Sequence, residues 1–134
     1  MNILRKFATF GLLSALALGG LAQAHHSYAA TFDLNQRIEL DGKVVQFGFR
    51  NPHSFLQVEV PDGKGGVARW SVEWSGAASL SSAGIERGTL RPGDAVKITA
   101  SPSRVKGELR AQILTIRRES DGFTWGLREG EVVD

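Results

Sequence analysis

The chain contains no cysteine, and its only methionine is Met1. Without thiols it cannot form disulfides, thiolate metal sites, iron-sulfur clusters or a cysteine nucleophile. Once Met1 is removed it also has no thioether sulfur, which together with thiolate is the soft ligand type that selects Cu(I). The residues that remain for metal chemistry are nitrogen and oxygen donors, among them only three histidines.

The chain also has no hydrophobic run long enough to cross a membrane. Its longest apolar stretch, residues 7–18, falls short of the roughly 20 residues that span a bilayer. This stretch follows Arg5 and Lys6 and precedes small residues that end at Ala24, which is the layout of a secretory signal. We therefore expect residues 1–24 to direct export and to be removed.

The predicted cleavage site decides which residue begins the mature protein. Ala22 and Ala24 satisfy the small-x-small rule for cleavage, which would make His25 the first residue. A weaker site two residues earlier would leave Gln23 at the front. With the first site, residues 25–134 form one domain, periplasmic or secreted, with no membrane span in the mature form.

The mature chain lacks an excess of either charge. The whole sequence has 16 Lys and Arg against 14 Asp and Glu, but two basic residues lie in the predicted signal and no acid does. Balanced charge gives little of the electrostatic attraction that drives non-specific binding to nucleic acid. We therefore expect no nucleic-acid partner.

Turn signals and alternating apolar residues divide the mature chain into five strands and one short helix. The apolar residues of the first strand change parity between Gly42 and Val45, which predicts a bulge or a strong bend. The helix is expected to begin after Ser75 as its N-cap and to end at a left-handed Gly84. The predicted strands span residues 37–49, 54–60, 67–74, 95–100 and 109–117.

This order of elements predicts an all-β fold, a small five-stranded OB-like barrel with one short helix between strands 3 and 4. A sandwich of five or six strands is the main alternative. We expect residues 119–134 to pack partly and to fray at the end. The residues predicted to be buried in the core are Trp70, Val72, Trp74, Val96 and Ile98.

The histidines fall in two places, and together they predict a metal site. His25 and His26 begin the mature chain, and His53 follows the turn at Asn51. A terminal histidine offers its α-amine and its ring nitrogen in one chelate, and a second ring would complete a planar nitrogen set that suits Cu(II). Carboxylates could be added by Asp33, Glu59 or Glu73. The alternative is that His25 and His26 start a flexible tail, and that His53 is a turn residue whose ring caps backbone groups.

A second candidate surface is aromatic. Phe55 is predicted to point away from the core beside His53, and with Asn51 it would form a ligand face for a saccharide, a protein or another flat ligand. The alternative is that this ring packs under the N-terminal arm. If the face is the site, the protein is a metal-free interaction module.

Catalytic patterns are weak. The sequence has no Gly-x-Ser-x-Gly elbow, and no acid is spaced along it to orient His53. Glu59 and Glu73 are interpreted as a solvated face with Arg69. We therefore expect a binding protein without enzymatic activity, whose ligand is a metal ion such as copper, a small molecule or a protein.

Seven short motifs carry a resemblance to a known family. They are Ala24-His25-His26-Ser27-Tyr28-Ala29, Phe32-Asp33, Gly42-Lys43-Val44, Asn51-Pro52-His53, Trp70-Ser71-Val72-Glu73, Leu90-Arg91-Pro92-Gly93-Asp94 and Ser101-Pro102. In this order they resemble a family of small exported bacterial proteins classified only as a domain of unknown function. The resemblance implies export and adds no chemistry. More loosely, the predicted barrel is similar to small periplasmic copper chaperones that hold Cu(I) with His, Met and Trp, but this chain lacks their methionines.

Overall fold

The computed structural model describes residues 28–126. The chain divides into two compact units, Met1–Thr31 and Phe32–Asp134. Of the first unit the structure describes only residues 28–31, which are helical, so the predicted signal lies outside the described part. Within that part, no helix is long and apolar enough to cross a membrane.

Residues 32–126 of the second unit form six strands and one helix. In chain order they are β1 (Ile38–Gly48), β2 (Phe55–Pro61), β3 (Val67–Glu73), α1 (Ala77–Ser82), β4 (Ala95–Pro102), β5 (Arg110–Arg118) and β6 (Phe123–Trp125). The strand order is β3-β2-β1-β4-β5-β6, and a further parallel pairing of β3 with β5 closes the first five strands into a barrel. The predicted fold class, an all-β five-stranded barrel with a short helix between strands 3 and 4, is confirmed.

The first strand is long enough to serve both halves of the barrel. Its first half pairs with β4 and its second half with β2. The register with β2 shifts between Val44 and Gln46, so the predicted bulge is confirmed. A Cβ at Gly42 would lie 2.3 Å from the carbonyl oxygen of Glu59, which explains why glycine stands where the bent strand meets β2.

The helix ends as the sequence predicts but begins differently. Gly84 has a φ of 78°, and the N–H of Ile85 donates to the carbonyl of Leu80 at 2.9 Å, as in a Schellman cap. The N-cap residue is Gly76, with no side-chain hydrogen bond of its own. The prediction of Ser75 as the N-cap is therefore wrong, because the first helical N–H groups find acceptors in a distant loop.

The barrel interior is apolar, and most of the predicted core residues lie in it. The four that are at most 2% exposed are Val72, Trp74, Val96 and Ile98. Trp70 is only half-buried, so that prediction is wrong in part. The pairing of β3 with β5 starts at Ser71, and Trp70 precedes the point where β5 closes over the strand.

The segment after β5 packs more regularly than its sequence predicts. It forms β6, a sixth strand paired with the end of β5. The ring of Trp125 meets that of Trp74 edge to face, with 5.0 Å between centroids. The guanidinium of Arg118 donates to both carboxylate oxygens of Asp121, at 3.0 and 2.8 Å. Residues 127–134 lie outside the described part.

Asp121 is expected to contribute pH-dependent stability. The hydrogen bond from Arg118, assisted by the backbone N–H of Phe123, lowers the pKa of Asp121 from its ordinary 3.8. Its contribution is therefore present above pH 3.8 and is lost as the pH falls through the lower pKa of the folded state. Asp121→Asn should be less stable than the parent at neutral pH and equally stable in strong acid. Urea unfolding at both pH values measures this, and an unchanged difference in acid would contradict it.

Candidate functional site

The loop between β1 and β2 is held in place by hydrogen bonds. Ser54 is fully buried, and its hydroxyl lies 3.1 Å from both the N–H and the carbonyl oxygen of Arg50. The N–H of Ser54 donates to the carbonyl of Ser75 at 3.1 Å, and its carbonyl accepts from Trp74 at 2.8 Å. These hydrogen bonds hold the backbone of the loop against the residues that follow β3.

Asn51, predicted on the ligand face, contacts the start of α1. Its Oδ1 accepts a hydrogen bond from the N–H of Ala78 at 3.2 Å, and the carbonyl of Arg50 accepts from Ala77 at 3.0 Å. These two acceptors replace the missing side-chain cap at Gly76. The amide oxygen of Asn51 therefore has a structural role in the loop.

Phe55, the other residue of the predicted ligand face, is half-buried rather than exposed. Its ring lies over Gly48, where an added Cβ would be 2.1 Å from the ring. The guanidinium of Arg50 lies 4.8 Å from the ring centroid, in a cation-π contact. Two neighbours therefore already cover much of the surface that a stacking ligand would need.

His53 lies beside Glu73, one of the three carboxylates that the sequence offers as candidates for the site. The Nδ1 atom of His53 is 3.5 Å from Oε1 of Glu73, and the two side chains are 35% and 27% exposed. The register brings them together, because Phe55 on β2 pairs directly with Glu73 on β3. No acid is spaced along the sequence to orient His53, and the acid that lies beside it is near in space and distant in sequence.

Glu73 also faces a basic side chain from β5. The Nη2 atom of Arg110 is 3.7 Å from Oε2 of Glu73, and Nη1 is 3.3 Å from Oε1 of Glu108. The Ser103 hydroxyl donates to Glu108, and this hydrogen bond lowers the pKa of that carboxyl below its ordinary value. Glu73, Arg110 and Glu108 therefore form a row of alternating charges. The row begins beside His53 and crosses the β3–β5 pairing that closes the barrel.

The rest of this outer face is occupied by cross-strand pairs. Glu59 and Arg69 form an ion pair at 2.6 Å, and Gln57 donates to the Ser71 hydroxyl at 3.2 Å. The predicted pairing of Glu59 with Arg69 on a solvated face is thus confirmed. Glu73 is the exception, since it faces His53 and Arg110 instead of Arg69.

Of the three predicted histidine ligands, His53 alone lies among the described residues 28–126. His25 and His26 lie outside the described residues. Residues 28–126 hold no group of three or more His, Asp or Glu side chains that could bind a metal ion by themselves. His53 and Glu73 form a pair of donors, which would need further ligands to hold a metal.

Residues 13–110 match DUF6152, a family of unknown function. The chain belongs to this family. Comparison with curated proteins and with solved structures finds no match. The predicted resemblance to an uncharacterised family is confirmed. The part of the chain that matches DUF6152 includes all three histidines, Glu73 and Arg110.

Proposed function

We propose that this DUF6152 protein is exported to the periplasm by its predicted signal and binds Cu(II) without catalysing a reaction. The ligands would be the α-amine and ring of His25, the ring of His53 and, as a further candidate, His26. The rival proposal is a metal-free interaction module that binds a protein or a saccharide through the face at Phe55.

The observation that carries the proposal is the position of His53. Its ring is partly exposed beside a carboxylate, on a loop fixed by the buried Ser54. The folded domain therefore supplies one metal ligand, an imidazole at the surface beside a negative charge, before the metal binds. A mobile histidine would have to be ordered when the metal binds, at a cost in affinity.

The second support is the position of Phe32, which precedes the barrel strands. Phe32 is attached to the barrel by a bridge to Ser103, and its ring centroid lies 5.9 Å from the guanidinium carbon of Arg110. Arg110 is 3.7 Å from Glu73, which contacts His53. Phe32, the first residue of the second unit, therefore lies close to the row of charges that begins beside His53.

The proposal requires the ring of His25 to come within coordination reach of His53, roughly 4 Å between ring nitrogens that share one metal at about 2 Å each. The seven residues 25–31 precede Phe32, and a chain of that length spans up to roughly 24 Å when extended.

The ligand set decides which metal is proposed. An amine and two imidazoles provide nitrogen donors in a tetragonal arrangement, which suits Cu(II). Copper also stands highest in the affinity order of the divalent first-row metals. Binding should weaken as the pH falls, because protons compete for all of these nitrogens.

His53→Ala is expected to weaken Cu(II) binding by about 100-fold and to leave the two-nitrogen chelate of His25 in place, because losing a ligand should cost at least as much as losing its supporting partner. Competition titration of the protein that begins at His25 measures the affinity, and electron paramagnetic resonance reports the number of nitrogen ligands. His26→Ala tests whether the second histidine is a ligand. Gln57→Ala, on the same face, is the matched control and should bind copper as the parent does.

The same titration separates the two proposed functions. Stoichiometric uptake of Cu(II), with loss of one nitrogen from the spectrum of His53→Ala, supports the copper proposal. No uptake at neutral pH, or an affinity indifferent to both His25 and His53, would overturn it and favour the interaction module.

A further inference from the structure

We infer that Glu73 is the positioning residue of the copper site: it holds the His53 ring so that Nδ1 carries the proton and Nε2 binds the metal. This inference rests on the proposed function for its metal part. It assigns to Glu73 the role of supporting a ligand, whereas the sequence suggests either a carboxylate ligand or part of a solvated face.

The geometry at His53 distinguishes its two ring nitrogens. Nδ1 is the atom that faces Glu73, at 3.5 Å from Oε1. A carboxylate only accepts hydrogen bonds, so its presence favours the tautomer in which the facing nitrogen carries hydrogen. The lone pair of the neutral ring then belongs to Nε2, which lies on the far side of the ring from Nδ1.

Arg110 and its partners hold the carboxylate of Glu73 in place. One oxygen of Glu73 faces His53 and the other faces Arg110. Arg110 is itself hydrogen-bonded to Glu108, which accepts from Ser103. The two nearest elements, β3 and β5, are parallel neighbours at this point, with Ser71 opposite Arg110. Arg110, on the strand that closes the barrel, thus faces the oxygen of Glu73 that does not face His53.

Metal-binding histidines commonly donate their second ring N–H to a carboxylate or carbonyl, and this contact sets the tautomer and makes the ring a better ligand. Glu73 is the carboxylate that faces Nδ1 of His53, at 3.5 Å. Its negative charge also offsets part of the charge that a divalent cation brings to the surface. Arg110, whose positive charge opposes the cation, is shared with Glu108 and so is partly neutralised.

The first arm of the test uses the metal-free mature protein. Nitrogen-15 NMR of the neutral His53 ring should show the Nδ1-protonated tautomer in the parent. Glu73→Ala should move the ring toward the Nε2-protonated tautomer, whereas Glu73→Gln should keep the parent tautomer, because its amide oxygen still accepts a hydrogen bond. Glu59→Gln is the matched control. Its carboxylate lies four residues along β2 from Phe55, roughly 13 Å at the usual rise of a strand, and the tautomer should not change.

The second arm measures Cu(II) affinity by competition. Glu73→Ala should lose about 10-fold, the lower end of the range for a supporting carboxylate, and Glu73→Gln should lose less. A parent protein with the Nε2-protonated tautomer, or a Glu73→Ala variant with unchanged tautomer and unchanged affinity, would overturn the positioning role. If the parent shows the expected tautomer and binds no Cu(II), the proposed function fails and the metal part of this inference fails with it. The two failures are thereby distinguished.

Backbone amide spectra of each variant show whether the barrel remains folded. Should Glu73→Ala unfold, the comparison of Glu73→Gln with Glu73→Asp takes its place. The shorter Asp side chain withdraws the acceptor from His53, so the tautomer should shift in Glu73→Asp and not in Glu73→Gln. The same tautomer in both would contradict the inference.

Discussion

Trp74→Ala is expected to lower the free energy of unfolding by about 3–5 kcal/mol, the usual cost of removing a large buried aromatic side chain. The side chain is 1% exposed. Its ring meets Phe47 on β1 at 5.9 Å between centroids and Trp125 on β6 at 5.0 Å. The truncation would therefore leave a cavity where three strands meet, and urea or thermal unfolding measures the loss.

Trp74→Phe is the matched control for this prediction. The indole Nε1 of Trp74 is buried and has no hydrogen-bond partner in the part of the chain that the structure describes. Replacing it with an apolar ring removes an unsatisfied donor while keeping most of the packing. Trp74→Phe should consequently cost less than half as much as Trp74→Ala. Equal losses, or a loss below about 1 kcal/mol for Trp74→Ala, would show that this site is not the packed centre of the barrel.

An acetyl extension that blocks the α-amine of His25 is expected to weaken Cu(II) binding by about 100-fold or more, equivalent to roughly 2.8 kcal/mol of binding free energy. The extension turns the α-amine into an amide, which cannot complete the terminal chelate in the same way. Titration of the extended and native-start proteins side by side measures the change. Their unfolding curves should coincide, because the extension lies outside the barrel strands.

The effect of the extension also separates the two ends of the proposed site. In the extended protein, His53→Ala should cause a smaller further loss than in the native-start protein, because the chelate that joins it is already broken. Equal affinities of the extended and native-start proteins would remove the α-amine from the ligand set.

The architecture of the barrel can be predicted from the sequence because local sequence patterns mark its strands, its bulge and the end of its helix. The parity change near Val44 marks the bulge, and the glycine at position 84 marks the end of the helix. Alternating apolar residues identify β2, β3 and β4, since each of these strands has one face toward the core. No alternating pattern predicts β6, because this strand is only three residues long.

The candidate site depends instead on contacts between distant parts of the chain. Glu73 meets His53 only because β2 and β3 adopt one particular register. Arg110 joins them only because the barrel closes in parallel between β3 and β5. Asn51 caps a helix that begins far along the chain. No local pattern specifies these contacts, so the sequence predicts the histidine and three candidate carboxylates but does not show which of them lies beside it.

Native mass spectrometry of the exported protein tests the central claim most directly. A single measurement gives both the first residue of the mature chain and the metal that it carries. The account predicts a chain that begins at His25 and holds one copper ion, which is lost when the sample is acidified. A chain that begins at Gln23 would contradict the terminal histidine chelate, and a metal-free chain that takes up no added Cu(II) would contradict copper binding itself.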